Sequence, residues 1–438
     1  MRHEKRGCFM KVLLLSANTE TINMAVLPVG LAGVAAAAEQ AGHEIRVLNL
    51  MGTNDPAPAL KNTISAFSPD VIGISLRNID DQDMHHTRFL VEPVKQIIAA
   101  CRQLTDAPLV LGGAGYSIFP QAALDYLQAD IGIRGEGEAA FIQLLQKISE
   151  HADVSAIAGL YLPETGCRVE RQYIRALHAH PVPLPDRHLP IPPTPGRSEL
   201  WVPFQTRRGC PMNCSYCSTG AIEGRLIRKI PPERAVEALS RYTEAGFTRF
   251  FFVDNTFNLP PAYAERLCDA IINSGLSIAW RSIVYPWKIT QQLASKMAEA
   301  GCTEVSLGFE SGSEPVLKRL NKRFRPPDVR QAANIFKACR IARMGFLLLG
   351  GPGETRETAL ESLHWADSLG LDNMKLTVGI RIYPDTALAT TAISEGIIAP
   401  ADDLLIPKFY IQPELKTWLY ETAAQWAAQR SHWFFKSP

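Results

Sequence analysis

The stretch that decides the fold is RRGCPMNCSYCSTG, residues 207–220, which places Cys210, Cys214 and Cys217 in a C-x3-C-x2-C spacing. Three clustered thiols need a common purpose. A structural zinc site wants four ligands, usually as two spaced pairs. No second CxxC exists here, and no histidine follows closely behind Cys217. An iron–sulfur cluster fits better. A [4Fe–4S] cube normally takes four thiolates, so three leave one iron open to bind something else. The loop follows the apolar segment WVPFQTRRG, read as a strand. That would set the open corner at the carboxyl end of a strand, where barrels of this kind bind substrate.

Working outward, the alternation of strand and helix resumes six times. The strands are WVPFQTRRG, TRFFFVDNTFN, LSIAWRSIVYP, TEVSLGFES, MGFLLLGGPGET and DNMKLTVGIRIYP, with helical patterns between them. Six strands fall short of a closed eight-stranded barrel and predict an open, partial (β/α)6 barrel over 198–395. The tail, 396–438, is helical and aromatic and reads as a packing cap or a lid.

The N-terminal part alternates too. KVLLLSAN (11–18), HEIRVLNL (43–50), VIGISLRN (71–78), PLVLGGAGYS (108–117) and DIGIRGEGE (130–138) read as strands, with LAGVAAAAEQAG and PVKQIIAACRQL as helices. This predicts an α/β doubly wound, Rossmann-like parallel sheet over 1–150. Such sheets bind ligands outside their carboxyl ends. The glycines at 112–113 and at 135 and 137 fall at that edge. A linker over 151–197 follows; its 181–195 portion holds seven prolines, so an extended, stiff connector is expected.

The 438 residues are 46% hydrophobic and 20% charged, with a net charge of +1. Nothing there argues for nucleic acid or an anionic surface as partner. No apolar run approaches the roughly 20 residues that span a bilayer. The basic start with its short apolar run lacks the pattern of a cleaved leader. The other cysteines (Cys8, Cys101, Cys167, Cys268, Cys302, Cys339) are scattered singly, as ordinary thiols of a reducing, cytoplasmic compartment.

C-x3-C-x-Tyr-C resembles the signature of the radical S-adenosylmethionine (SAM) superfamily. The resemblance implies a [4Fe–4S] cluster on the three cysteines, with SAM chelated by the open iron. It sets Tyr216 against the adenine. LGFESGSEPVLKRLNK (307–322) resembles the family's fourth-strand segment and implies that Glu310 and Ser311 lie near SAM. FLLLGGPGET (346–355) resembles its fifth strand, with Gly351 by the adenine. FVDNTFN (252–258) resembles the second-strand end, with Asp254 facing the site, and EGRLIRK places Gly224, Arg225 and Arg228 behind the cluster loop.

The N-terminal half, through ISLRNIDD and GGAGYSIFP, is similar to the cobalamin-binding domain of the cobalamin-dependent radical SAM class, of the lipid and natural-product type. This implies cobalamin contacts from Arg77, Asn78, Gly112, Gly113, Ser117, Gly135 and Glu136. The D-x-H-x-x-G motif that gives cobalt a histidine elsewhere is absent. His85 and His86 lie in the loop after the third strand, where a histidine is ordinarily surface or core; His43 reads as structural. The resemblance covers about residues 11–395. It implies a C-methyltransferase acting on an unactivated carbon of a small-molecule or lipid substrate. In that class a 5′-deoxyadenosyl radical opens the carbon and methylcobalamin supplies the methyl, with flavodoxin or ferredoxin as reductant. Two alternatives stay open. One is a radical SAM enzyme that cyclises, rearranges or transfers another SAM-derived group, with or without cobalamin. The other is a cobalamin-binding sensor.

Overall fold

The computed structural model describes residues 9–19, 27–191 and 196–435. Cys8, the basic start and the end of the proline run at 192–195 lie outside the described residues. The chain divides into two units. The first comprises Met1–Asp81, Phe89–Gly196 and Ala221–Glu223; the second comprises Gln82–Arg88, Arg197–Gly220 and Gly224–Pro438.

The first unit is built on a seven-stranded sheet. Its strands are β1 (Lys11–Ser16), β2 (Glu44–Asn49), β3 (Val71–Ser75), β4 (Leu109–Gly112), β5 (Ile131–Ile133), β6 (Leu160–Leu162) and β7 (Gly166–Cys167), in the order β2-β1-β3-β4-β5-β6-β7. β1 to β5 pair in parallel. Their near-continuous apolar sequences suit strands covered on both faces. Helix Glu92–Leu104 shows why the covering forms. Val94, Ile97, Ile98 and Cys101 are buried at helical spacing, and Pro93 occupies the first turn, where its missing N–H costs nothing. Each such aliphatic side chain contributes roughly 1.5–3 kcal/mol by leaving water.

Two expectations need correcting. PLVLGGAGYS is not one strand: β4 stops at Gly112, and Ala114–Ile118 is a short helix. Gly113 turns the chain at φ +104°, and a Cβ there would stand 2.6 Å from the Leu76 carbonyl oxygen. Only glycine fits. The segment 151–197 is also more than a linker, because β6 and β7 add antiparallel strands to the sheet edge. The proline-rich part after them is pinned by His188. Its Nδ1 accepts from the Leu184 N–H at 3.0 Å, and its Nε2 lies 2.9 Å from Glu39.

The second unit carries six parallel strands where the alternation predicts them. They are β8 (Trp201–Phe204), β11 (Arg249–Phe252), β12 (Ala279–Val284), β13 (Cys302–Glu310), β14 (Ala342–Leu349) and β15 (Asn373–Val378). Between β8 and β11 lies a small ribbon of β9 (Arg207–Arg208) and β10 (Arg228–Lys229); another, of β16 (Ile380–Arg381) and β17 (Phe409–Tyr410), follows β15. The aromatic tail adds something the sequence reading lacked: β18 (Trp433–Phe434) pairs in parallel with β15 and becomes the sheet's edge. Before it, helix Lys416–Ala428 packs on helix Arg356–Asp367, with the Trp426 ring 4.8 Å from that of His364 and Arg430 bonded to Asp367 at 2.9 Å.

Candidate functional site

The cysteine loop leaves the carboxyl end of β8. Beneath it Phe204 meets Phe252 at 5.6 Å, and Trp280 meets Phe252 at 5.0 Å and Phe257 at 4.8 Å. The first two pairs pack edge-to-face and the third is tilted, and aromatic packing of this kind fixes the strand ends. Asp254 lies just past β11 and is fully buried. Its carboxylate accepts from the Thr206 N–H (2.8 Å), the Thr206 hydroxyl (2.5 Å), the Arg207 N–H (3.0 Å) and Arg207 Nε (3.2 Å). Asp254 therefore does not face an open mouth. It clamps the strand end from which the cysteines depart.

The loop then turns at Gly209, φ +91°, where any Cβ would collide with the Leu226 carbonyl oxygen. The Cys210 N–H donates to the Gly224 carbonyl at 3.1 Å, and Arg225 donates to Asn213. Arg228 is buried in β10. The residues behind the loop thus brace it. The Cys217 N–H bonds to the Cys214 carbonyl at 3.3 Å, and the Ser215 N–H to the Leu320 carbonyl at 3.0 Å. None of the three cysteines is in a disulfide; Cys210 and Cys214 are half-buried and Cys217 is exposed.

Tyr216 reaches across to β13. Its hydroxyl lies 2.8 Å from Glu310 Oε1, and Lys322 Nζ sits 2.9 Å from the Tyr216 oxygen and 3.0 Å from Glu310 Oε1. Lys322 is a residue the motifs did not single out. Its side chain is only 4% exposed, so its charge needs a partner. Burial works against that charge, but the Glu310 carboxylate holds the ammonium well above its ordinary range. Burial pushes the Tyr216 phenol and the Cys214 thiol up; Lys322 opposes both. Glu310 adopts φ +66° at a register shift between β13 and β14. A non-glycine residue in that region is strained, and such strain concentrates at functional sites.

Ser311 does not join this group. It is fully buried, and its hydroxyl contacts that of Ser362 at 2.9 Å and the Ser313 N–H at 3.1 Å. Gly351 stands on the turn after β14, where the Gly350 and Gly351 N–H groups donate to Glu354 Oε2, the latter at 3.2 Å. Glu354 is buried, its Oε1 has no partner, and burial raises its carboxyl to about 7 against the two N–H bonds. A raised carboxyl favours the fold at low pH. Its contribution, on the order of 3 kcal/mol, is complete below pH 4.5 and is lost as pH rises to about 7. Relative to Glu354→Gln, the wild-type chain is expected to lose that stability between those pH values. Denaturant titrations of both at pH 4.5 and pH 8 check it; equal differences at the two ends would refute the assignment.

In the first unit the order β2-β1-β3 reverses direction at β1. Open α/β sheets bind ligands at such a switch point, beside the carboxyl ends. Asn78, after β3, donates to Asn18, after β1, at 3.2 Å across it. Asn18 was not among the expected residues. Arg77 is exposed beside them, and Gly112 leaves ordinary space around its Cα. The other expected contacts hold the edge together instead. The Ser117 hydroxyl is buried, donates to the Gly113 carbonyl at 2.7 Å and accepts the Gly135 N–H at 2.9 Å. Arg171 packs against Gly135, and Glu136 accepts the Ile174 N–H at 2.7 Å. His85 lies in the second unit, its ring 3.6 Å from that of Tyr420.

Among the described residues, no three His, Cys, Asp or Glu side chains gather as they would around a single metal ion. A cube has different needs: its thiolates attach at separate corners. Three thiols on one braced loop, none of them disulfide-bonded, are the donor set it takes. The comparisons agree. Residues 205–366 match the Radical SAM superfamily, and residues 15–145 match the B12 binding domain. The chain carries a B12-binding domain followed by a radical SAM domain.

Several of the proteins that the chain resembles are methyltransferases; a magnesium-protoporphyrin IX monomethyl ester cyclase of Rubrivivax gelatinosus also matches, at 25% identity over 72% of this chain and 57% of the relative. The chain is 27% identical to an uncharacterized methyltransferase of Pyrococcus horikoshii, over 89% of this chain and 84% of the relative. It is 25% identical to the tryptophan 2-C-methyltransferase of Streptomyces laurentii, over 85% of this chain and 73% of that one. The solved radical S-adenosylmethionine methyltransferase TsrM of Kitasatospora setae, with cobalamin and [4Fe-4S] cluster bound, superposes with a TM-score of 0.87. That match has 21% identity and covers 98% of this chain and 93% of TsrM. Among the described residues, no helix is long and apolar enough to cross a membrane.

Proposed function

We propose that the chain is a cobalamin-dependent radical SAM C-methyltransferase acting on an unactivated carbon of a small-molecule or lipid substrate. The observation that carries this is the braced three-cysteine loop after β8, in a chain that also carries a B12-binding domain. Bound there, the cluster, SAM and cobalamin supply radical formation and a transferable methyl group. The protein's part is to hold and orient them. Cys210, Cys214 and Cys217 would hold the cluster, on a loop fixed by Asp254 and Gly209. Tyr216, Glu310 and Gly351 border the space for SAM. Arg77, Asn78, Asn18 and Gly112 border the switch point, where the cobalamin would lie. Met344, Phe346 and Leu348 share one half-buried face of β14, an apolar wall that disfavours water and suits an uncharged reacting carbon. Exposure of Cys217 favours electron delivery from a small partner such as flavodoxin or ferredoxin, in a reducing cytoplasm.

Anaerobic reconstitution followed by iron and cobalt analysis tests the cofactors. About four irons and one cobalt per chain are expected. With substrate, product mass should rise by one methylene unit and the methyl should derive from labelled SAM. Iron without cobalt, even after soaking in hydroxocobalamin, would remove the cobalamin reading. An unlabelled product would point to cyclisation or rearrangement.

A further inference from the structure

We propose that Lys322 is the positioning residue of the cluster loop, a buried cation that ties Tyr216 to Glu310 and so fixes the loop against the end of β13. The inference deepens the reading of this site and rests on it only for its iron readout. Lys322 Nζ touches both partners, at 2.9 and 3.0 Å, while the ring of Tyr216 lies 5.2 Å from the ammonium and that of Phe324 5.8 Å. A cation bonded to both a phenol oxygen and a carboxylate, with the Phe324 ring nearby, has little freedom to move. Its own segment is joined to the loop by the backbone, through the Ser215 N–H to Leu320 bond, and Asn321 donates to the Asn213 carbonyl. Three successive residues, 320 to 322, therefore grip the loop between Cys210 and Cys217. The cysteines themselves are half-buried or exposed, so they do not anchor the loop by their own burial.

Hydrogen exchange on the iron-free chain tests this directly. In Lys322→Met the amides of Ser215 and Cys217 are expected to exchange about 10-fold faster or more, while those of β1 hold. A purely structural ion pair behaves differently, because removing both charges relieves the stranded carboxylate. Glu310→Gln with Lys322→Met should therefore recover thermal stability without recovering loop protection. If the double variant restores both, or if Lys322→Met leaves loop exchange unchanged, the proposal is overturned. Tyr216→Phe keeps the ion pair and provides a folded variant in which the loop should loosen to a smaller degree. After reconstitution, a chelator should strip iron from Lys322→Met about 10-fold faster than from wild type. Should the wild-type chain take up no iron, the cluster assignment falls, while the exchange data still decide the role of Lys322.

Discussion

Replacing Cys217 with alanine is expected to leave a folded chain that no longer retains iron. Cys217 is exposed, and what its backbone contributes, an N–H bond to the Cys214 carbonyl, survives the substitution. Folding stability should change by no more than about 0.5 kcal/mol, as for most surface positions. Iron after reconstitution should fall from about four per chain toward none, because a cube left with two thiolates is poorly held. Turnover should fall by roughly a thousandfold or more, since the cofactor carries the chemistry. Cys268→Ala is the contrast. Cys268 is fully buried in helix Pro261–Ser274, and burial pushes its thiol up to about 12. A small hydrophobe of that kind costs about 1 kcal/mol when trimmed but should leave iron untouched. Iron measured in both variants, beside a denaturation curve, separates the outcomes. Full iron in Cys217→Ala would end the cluster assignment.

Asp254→Ala is expected to act on stability. Among the described residues, its carboxylate is the one anionic partner of Arg207, whose side chain is 1% exposed. The guanidinium also donates to the Phe257 and Leu259 carbonyls at 2.7 and 2.9 Å and lies 4.5 Å from the Tyr263 ring. Removing one partner of a buried pair leaves the other charge uncompensated and costs about 3–5 kcal/mol. Three further donors to Asp254 lose their acceptor as well. The midpoint of urea unfolding should therefore drop markedly in Asp254→Ala and less in Asp254→Asn, which keeps an acceptor for the Thr206 and Arg207 amides. A residue facing SAM would give the opposite result: normal stability and weakened SAM binding.

Much of this was legible in the sequence, for a physical reason. Strands covered on both faces must be apolar throughout, so VIGIS and FLLL announce themselves. Three thiols within eight residues admit few chemistries. What sequence order does not carry is direction. Asp254 sits at a strand end in a familiar motif, yet its carboxylate turns back onto Thr206 and Arg207. Ser311 likewise turns to Ser362 rather than to a cofactor. At the glycine-rich edge, Gly113 is required by the Leu76 carbonyl, which explains the residue without a ligand. Lys322 escaped notice because a lysine in LKRLNK reads as a solvated helix face; only its meeting with Glu310, twelve positions away, reveals the burial. β18 escaped because a two-residue strand has no periodicity to detect.

That last strand bears on how the protein comes off the ribosome. Trp433 and Phe434 complete the sheet beside β15, some sixty positions after β15 begins at Asn373. While the chain is being synthesised, β15 emerges first, and Met374 and Lys375 on its outer side wait for the partner that β18 later supplies. An unpaired strand edge is a template for neighbouring chains. Polysomes bring such nascent chains close together, so the interval before residue 434 leaves the exit tunnel is the period of greatest risk. A fusion placed directly after Phe434 would crowd the same closure, and lowering the temperature of expression should protect this domain more than the B12-binding domain, whose parallel strands are all made by Ile133.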